Sequence, residues 1–251
     1  ATVDATTVTT GFDVATSVAS IVTAADTTVV ASGGTFTLSA GTDIGGTSSS
    51  SSSGVASTFV FTSASETINA MTASMQTADS LLDLTASGDV DVMAITASGA
   101  MNALTAANIE TVNVNFAAGT PTAVFTNFSG LDTVNVNGTV AGTVTDATDA
   151  GATSITITDM TRVITIDDSN GLGGTTTTAD AETLNLTVSG MSHGATTATR
   201  SGITLTAANT GANETLEVLN ITSAGTVAND FTLNAADVDV ILSTVNLLGD
   251  I

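Results

Sequence analysis

The chain has 251 residues, of which 42% are hydrophobic but only 3% aromatic, and it contains no Cys, Trp or Tyr. Two arginines and no lysine stand against 24 acidic residues, which gives a net charge of −22. Nucleic acid is excluded as a partner, because phosphate binding needs clustered basic residues. No apolar run reaches the roughly 18 residues that a membrane-spanning helix needs, so we expect no membrane insertion.

Residues 1–54 are predicted to form an N-terminal β segment that ends in a serine-rich linker. The segment alternates small polar residues with Val, Ile and Ala, which favours short strands. GGTSSSSSSG at 45–54 is a low-complexity stretch that cannot bury apolar surface. It is interpreted as the boundary before a second part, residues 55–251; an exposed loop within one domain is the alternative. The strands predicted in this segment are TTVTT (6–10), TTVVAS (27–32) and TFTLSAG (35–41).

Residues 66–81 are the one stretch for which the sequence predicts a helix. STFVFTS (57–63) before it reads as a strand, whereas Ile68, Met71, Met75 and Leu81 then follow at intervals close to a helical turn. The spacing therefore predicts a short helix at 66–81.

From about residue 82 onward, one strand type returns along the chain. IETVNVN (109–115) comes back as LDTVNVN, AETLNLT, LEVLNIT and LSTVNLL, always with Asn between two β-branched or leucyl residues. Such alternation is typical of a strand with one apolar and one polar face. Counting the same slot through the chain gives Ala94, Asn113, Asn135, Thr156, Asn185, Asn220 and Asn246.

Recurrence of one strand favours an all-β fold, a parallel β-helix or β-solenoid-like repeat with irregular coils. The seven positions from Ala94 to Asn246 are unevenly spaced along the chain, which indicates that the loops between the strands vary in length. Residues such as Val112 and Val114 would point inward, and the asparagines would form outward ladders in which each amide bonds its neighbours above and below. Antiparallel β-sandwich domains show the same alternation and remain the alternative fold.

Three segments carry a resemblance to a known family: TFTLSAGTDIGGT (35–47), TINAMTASMQTADSLLDLTASG (67–88) and NIETVNVN (108–115). They resemble the β-strand repeats of bacterial surface-layer (S-layer) proteins of the RTX, type I-secreted kind. The resemblance implies a calcium-dependent, self-assembling extracellular lattice, exported without a cleaved N-terminal signal. It also implies attachment at the cell surface, for which a polysaccharide is the candidate partner.

Calcium is the expected cofactor, because Asp-rich loops supply the oxygen ligands that this ion prefers. The full RTX nonapeptide is absent, and IDDSNGLGG (166–174) is its nearest remnant. Aspartates two apart on a strand face the same way, so such pairs either bind a cation or remain solvated. The candidate metal ligands are Asp167, Asp168 and Asn170 in the remnant, and the pairs Asp89/Asp91 and Asp237/Asp239.

A structural role is the function that the sequence favours. The single histidine, His193, lies in a small, polar stretch and has no nucleophile–base pattern around it, so we expect no enzymatic activity. The predicted function is a self-assembling subunit of an S-layer lattice or an extracellular filament, stabilised by calcium. A spacer segment of a large secreted RTX-type adhesin is the alternative.

Overall fold

The computed structural model describes residues 34–46, 59–84, 88–148, 150–168, 182–191, 201–207, 216–226, 228–234 and 244–249. All regular structure in these residues is β-strand, so they contain no helix long and apolar enough to cross a membrane. The strands are β1 (Thr35–Thr37), β2 (Ile44–Gly46), β3 (Phe59–Val60), β4 (Thr67–Met71), β5 (Ser80–Leu82), β6 (Val92–Ala97), β7 (Thr105–Ala107), β8 (Thr111–Phe116), β9 (Thr122–Val124), β10 (Phe128–Ser129), β11 (Thr133–Gly138), β12 (Gly142–Thr145), β13 (Ser154–Thr158), β14 (Val163–Asp168), β15 (Glu182–Ser189), β16 (Gly202–Ala207), β17 (Leu216–Ala224), β18 (Thr232–Asn234) and β19 (Thr244–Leu248).

These strands stack into three parallel sheets. The long sheet has nine strands in the order β1-β4-β6-β8-β11-β13-β15-β17-β19, and two five-stranded sheets run β10-β7-β5-β2-β3 and β18-β16-β14-β12-β9. Neighbours in the long sheet are one coil apart along the chain, and the coil that starts with β8 contributes a strand to each of the three sheets. This parallel coiling confirms the predicted β-solenoid, and the sandwich alternative, which requires antiparallel strands, is wrong.

The core lies between the sheets and is filled by the inward residue of each alternating pair. In β8, Val112 and Val114 are buried, while Asn113 between them faces outward. The same inward positions recur in register, since Met93 of β6 and Val134 of β11 flank Val112. Burying an aliphatic side chain of this size contributes about 1.5–3 kcal/mol. Stacked coils thereby build a continuous core, mainly of aliphatic side chains, to which buried phenylalanines such as Phe61, Phe116 and Phe125 contribute.

The helix expected at 66–81 is wrong. The segment forms β4, a turn and β5, and these two strands join different sheets. β4 lies between β1 and β6, where Ile68 is fully buried, whereas Met71 at its end is 56% exposed. The Ser74 hydroxyl donates to the Met71 carbonyl and closes the turn. Pairing on both edges of β4 therefore overrides the local helical spacing, which arises because the coil changes direction after Met71.

Asparagine side chains form two separate ladders on the outer face of the long sheet. Asn135 Nδ2 donates to Asn113 Oδ1 at 2.8 Å. In the later coils, Asn220 donates to Asn185 at 2.8 Å and Asn246 donates to Asn220 at 2.7 Å. The expected bonding of each amide to its neighbour along the stack is confirmed within each ladder.

The two ladders do not share one slot, so the prediction of a single common row is wrong. Asn135 pairs with Thr156, and Thr156 pairs with Thr187, while Asn185 lies opposite Ser154. The asparagine position has thus moved by two residues between β11 and β15. A shift of two preserves the inward and outward alternation, so hydrophobic burial does not oppose it.

The segment before the serine run is partly described, and its two strands belong to the same sheets as the rest of the chain. β1 pairs with β4, and β2 lies between β5 and β3. The strands predicted at 6–10 and 27–32, and the proposed boundary at residue 54, fall outside the described residues. The division into 1–54 and 55–251 therefore stays a prediction.

A buried carboxylate cluster as candidate functional site

An acidic residue directly precedes each of four neighbouring strands of the long sheet. Glu66 precedes β4, Asp91 precedes β6, Glu110 precedes β8 and Asp132 precedes β11. Because the first residues of these strands pair with one another, the four acids stack in one column. We call this column the acidic corner; it lies where the chain enters the long sheet.

Carboxylates of the acidic corner bind the backbone of the preceding coil. The Glu66 N–H donates to Asp91 Oδ1 at 2.8 Å, and the Asp91 N–H donates to Glu110 Oε2 at 2.7 Å. Each bond fastens one coil to the next, and hydrogen bonds to a charged acceptor are the stronger kind. The column ends at Asp132, which is exposed and whose N–H donates to the Glu110 carbonyl instead.

Three carboxylates converge at this corner. One oxygen from each of Glu66, Asp89 and Asp91 lies within 4.8 Å of the others, and Glu66 and Asp91 are buried. Oδ2 of Asp91 and Oδ2 of Asp89 are inaccessible to solvent, yet neither accepts a hydrogen bond within the described part of the chain. Buried polar atoms are normally paired, because desolvation without a partner costs about 1–3 kcal/mol and more for a charge.

Two carboxylates of the acidic corner, Asp91 and Glu110, have a raised pKa. Burial is the largest cause that raises the pKa of Asp91 from 3.8 to about 7; the nearby carboxylates of Glu66, Asp83 and Glu110 raise it further, although the hydrogen bond from the Glu66 N–H opposes them. Burial also raises the pKa of Glu110. These groups therefore ionise at neutral pH only against an opposing free energy, which a bound cation would offset.

The donor set fits a hard divalent cation. All three groups offer carboxylate oxygens, and the cluster of Glu66, Asp89 and Asp91 contains no basic residue. Ca²⁺ takes 6–8 oxygen ligands, which carboxylates, carbonyls and water supply together. Glu66 already accepts bonds from the hydroxyl and, at 3.3 Å, the N–H of Thr62, so the residue is held in place before any ion binds.

A second pair of acidic residues, Asp79 and Asp43, has carboxylates whose hydrogen bonds are purely structural. Asp79 accepts the Asp43 N–H on one oxygen and the Gln76 N–H on the other, at 2.9 and 2.8 Å. Asp43 in turn accepts the Ser39 N–H at 2.8 Å. Both residues are buried with the carboxylate bonded to backbone, so nothing in their contacts calls for an ion.

The structure brings together one of the predicted aspartate pairs and places Asp167 of the remnant elsewhere, in β14. Asp89 and Asp91 lie in the cluster. Asp167 lies at the end of β14, where its Oδ1 accepts the Thr206 hydroxyl at 2.8 Å, a bond between neighbouring strands. The side chain of Asp168 and all of Asn170, Asp237 and Asp239 lie outside what the structure describes. The assignment of these seven residues to metal sites stays a prediction.

Glu66, Glu110 and Asp132 are the members of the acidic corner that the sequence analysis did not predict. Each stands before Thr and three residues before Asn, in ETIN and ETVN, and Asp132 holds the same place in DTVN. This recurrence of an acid at a fixed distance from Asn was the available signal. Spacing of two residues along a strand does not reveal this cluster, because Glu66 and Asp91 meet one whole coil apart.

Fold and cluster together define an all-β parallel solenoid with a buried carboxylate corner. Comparison with protein-family models, with curated proteins and with solved structures found no match to this chain.

Proposed function

We propose that the protein is a structural subunit of a self-assembling extracellular layer or filament, and that calcium bound at the acidic corner stabilises its stack of coils. The observation that carries the proposal is a pair of buried oxygens, Asp89 Oδ2 and Asp91 Oδ2, which lie beside Glu66 and have no hydrogen-bond partner among the described residues. A cation there would join the coil that begins at β4 to the coil that begins at β6. Its contribution would be to stability, since no catalytic arrangement accompanies the cluster.

The end of the long sheet supports the self-assembling part of the proposal. Val245 and Leu247 of β19 continue the inward rows of Leu219 and Ile221, which are buried, yet they are 46% and 72% exposed. Within the described residues no strand pairs with the outer edge of β19. An open strand edge with apolar side chains favours the addition of another strand.

Calcium titration tests the stabilising part. Purified protein stripped with chelator should gain thermal stability on addition of Ca²⁺, because a ligand that binds only the folded state stabilises it by about 2.7 kcal/mol at a hundredfold excess over Kd. Differential scanning calorimetry at several calcium concentrations measures this gain. A melting temperature that does not respond to millimolar Ca²⁺ would contradict the site.

Electron microscopy tests the assembling part. Calcium-loaded protein should form sheets or filaments that dissolve on addition of chelator. Protein that binds calcium but stays monomeric at high concentration would contradict self-assembly and favour the adhesin spacer instead.

A further inference from the structure

A groove of about 620 Å³ runs across the outer face of the long sheet, from β1 to β13. Its floor carries two rows of outward-facing side chains, and each coil contributes one side chain to each row. Ala94 interrupts the first row between Asn69 and Asn113, so the floor is recessed at β6. The rows are Asn69, Asn113 and Asn135 in the first, and Thr96, Asn115 and Asn137 in the second.

The groove is neutral on a strongly acidic protein. None of the residues that line it is ionisable, although the chain has 24 acidic residues and a net charge of −22. Cationic partners would be drawn to the acidic surface elsewhere, and anionic partners would be repelled by the overall field. The occupant that fits an uncharged groove on such a surface is itself uncharged.

Several amides in the groove have hydrogen-bonding capacity that the protein does not use. Asn113 and Asn135 bond each other, but the side chains of Asn69, Asn115 and Asn137 make no hydrogen bond within the described residues. An amide offers two donors and an acceptor. Such groups recur at the strand spacing of about 4.8 Å, so they suit a chain molecule whose hydroxyls also recur.

We propose that this groove binds a neutral polysaccharide chain along the stack of coils. Hydroxyl groups of successive sugars would bond Asn69, Asn115 and Asn137, and Met71, which is 56% exposed at one end, would offer apolar contact to a sugar face. This proposal rests on the proposed function, because a protein of an extracellular layer would meet such a polymer at the cell surface. It names the partner that would anchor the layer. The groove itself is formed within one copy of the chain.

Binding is tested on calcium-loaded protein kept dilute enough to remain monomeric. Co-sedimentation with insoluble neutral polysaccharides (cellulose, mannan and chitin) measures retention, and calorimetry with their soluble hexasaccharides measures affinity. Polygalacturonate, an anionic polymer, serves as the contrasting probe. We expect retention by at least one neutral polymer and none by polygalacturonate.

The double variant Asn115→Ala/Asn137→Ala locates the binding. Removing two amides should weaken affinity about tenfold or more, since each lost hydrogen bond lowers the binding constant by a factor of several. Asn234→Ala is the matched control, because Asn234 is an exposed strand asparagine of the third sheet, outside the groove. Circular dichroism should show that all variants are folded.

Three outcomes would overturn the proposal: no retention on any neutral polymer, equal retention by the double variant, or equal retention on polygalacturonate. Loss of self-assembly in the double variant, with no glycan binding by the parent protein, would assign the groove to a second copy of the chain. Because glycan binding and assembly are measured separately, failure of one leaves the other standing.

Discussion

At the scale of single residues, Asp91 controls the chemistry of the acidic corner. One carboxylate oxygen accepts the Glu66 N–H, while the other is buried beside Asp89 and has no hydrogen-bond partner in the described part of the chain. Folding places this oxygen out of reach of bulk solvent, and the cluster of Glu66, Asp89 and Asp91 contains no basic side chain that would compensate its charge. At neutral pH the Asp91 carboxylate must therefore bind a proton or a cation. If it stays charged without either, it lowers the free energy of unfolding.

Asp91→Asn should separate these effects. The amide retains an oxygen for the Glu66 N–H and removes the charge, so stability at pH 8 in chelator should stay equal or rise. The gain on adding Ca²⁺ should disappear, as one of three carboxylate ligands is lost. Thermal denaturation with and without Ca²⁺ measures both effects. Asp132→Asn, at the exposed end of the same column, should keep the calcium response; its loss there too would argue against a local site.

Stability without calcium should fall as pH rises. Asp91 has a folded-state pKa of about 7, against 3.8 as reference, so the folded state binds more protons than the unfolded state in the window between these values. The free energy of unfolding then decreases from about pH 4 to pH 7 and levels off above it. Urea denaturation in chelator at pH 5, 6, 7 and 8 measures the slope.

Repulsion among the many acidic residues also lowers the free energy of unfolding as pH rises. The decisive comparison is therefore with Asp91→Asn, for which the free energy of unfolding should fall less steeply with pH. Calcium requires deprotonated ligands, so its stabilising effect should grow as pH rises through about 7. Identical slopes in the two proteins would show that Asp91 has no part in the pH dependence.

The sequence allowed part of this corner to be predicted. Asp89 and Asp91 were recognisable because residues two apart on an extended chain face the same way. Glu66 was not, because its approach to Asp91 depends on how many residues complete one coil, and that number varies along the chain. Register between coils is set by inward packing of whole strands, which a local pattern does not contain.

At the scale of strands, close packing between Phe116 and Gly142 fixes how the coil of β11 and β12 closes over β8. A Cβ at Gly142 would collide with the ring of Phe116, which is fully buried. The same ring blocks any inward shift of β12. Glycine is thus required here for space, and β12 starts directly at this contact.

Gly142→Ala should therefore destabilise the protein by about 1–3 kcal/mol, the usual cost of overpacking a core. Gly99→Ala is the matched control, because a Cβ there meets nothing within 4 Å. Its effect should stay within about 0.5 kcal/mol. Chemical denaturation gives both values, and a Gly142→Ala variant as stable as the control would contradict the tight packing.

Which segments form strands was easier to predict from the sequence than the register of each strand against its neighbours. Alternation identified the long-sheet strands, including TVNVNF of β8, because inward and outward faces impose a period of two. The same rule could not distinguish a ladder in one slot from two ladders shifted by two residues, since both satisfy it. The supposed helix at 66–81 failed for a related reason: in a solenoid, two short strands at a corner bury apolar residues at spacings that imitate a helix.

At the scale of the whole molecule, the stack differs between its middle and its β19 end. Inward side chains in the middle are covered by coils on both sides, whereas those of β19 are covered on one side only among the described residues. The ladder is open there as well, since Asn246 donates to Asn220 but accepts no bond from any side chain that the structure describes. Another coil placed on β19 would complete both the apolar row and the asparagine ladder.

Leu247→Asn should accordingly impair self-assembly while leaving the isolated protein folded. Leu247 lies in register with the buried Ile221, yet it is 72% exposed, so a polar replacement costs the single copy little and removes apolar surface from any added coil. Leu84→Asn is the matched control, because Leu84 is 67% exposed but outside the long sheet. Sedimentation velocity and electron microscopy in Ca²⁺ should show small species for Leu247→Asn and normal assemblies for Leu84→Asn. If both variants assemble like the parent protein, association does not use the β19 end, and the contact between copies must lie on a side face of the solenoid.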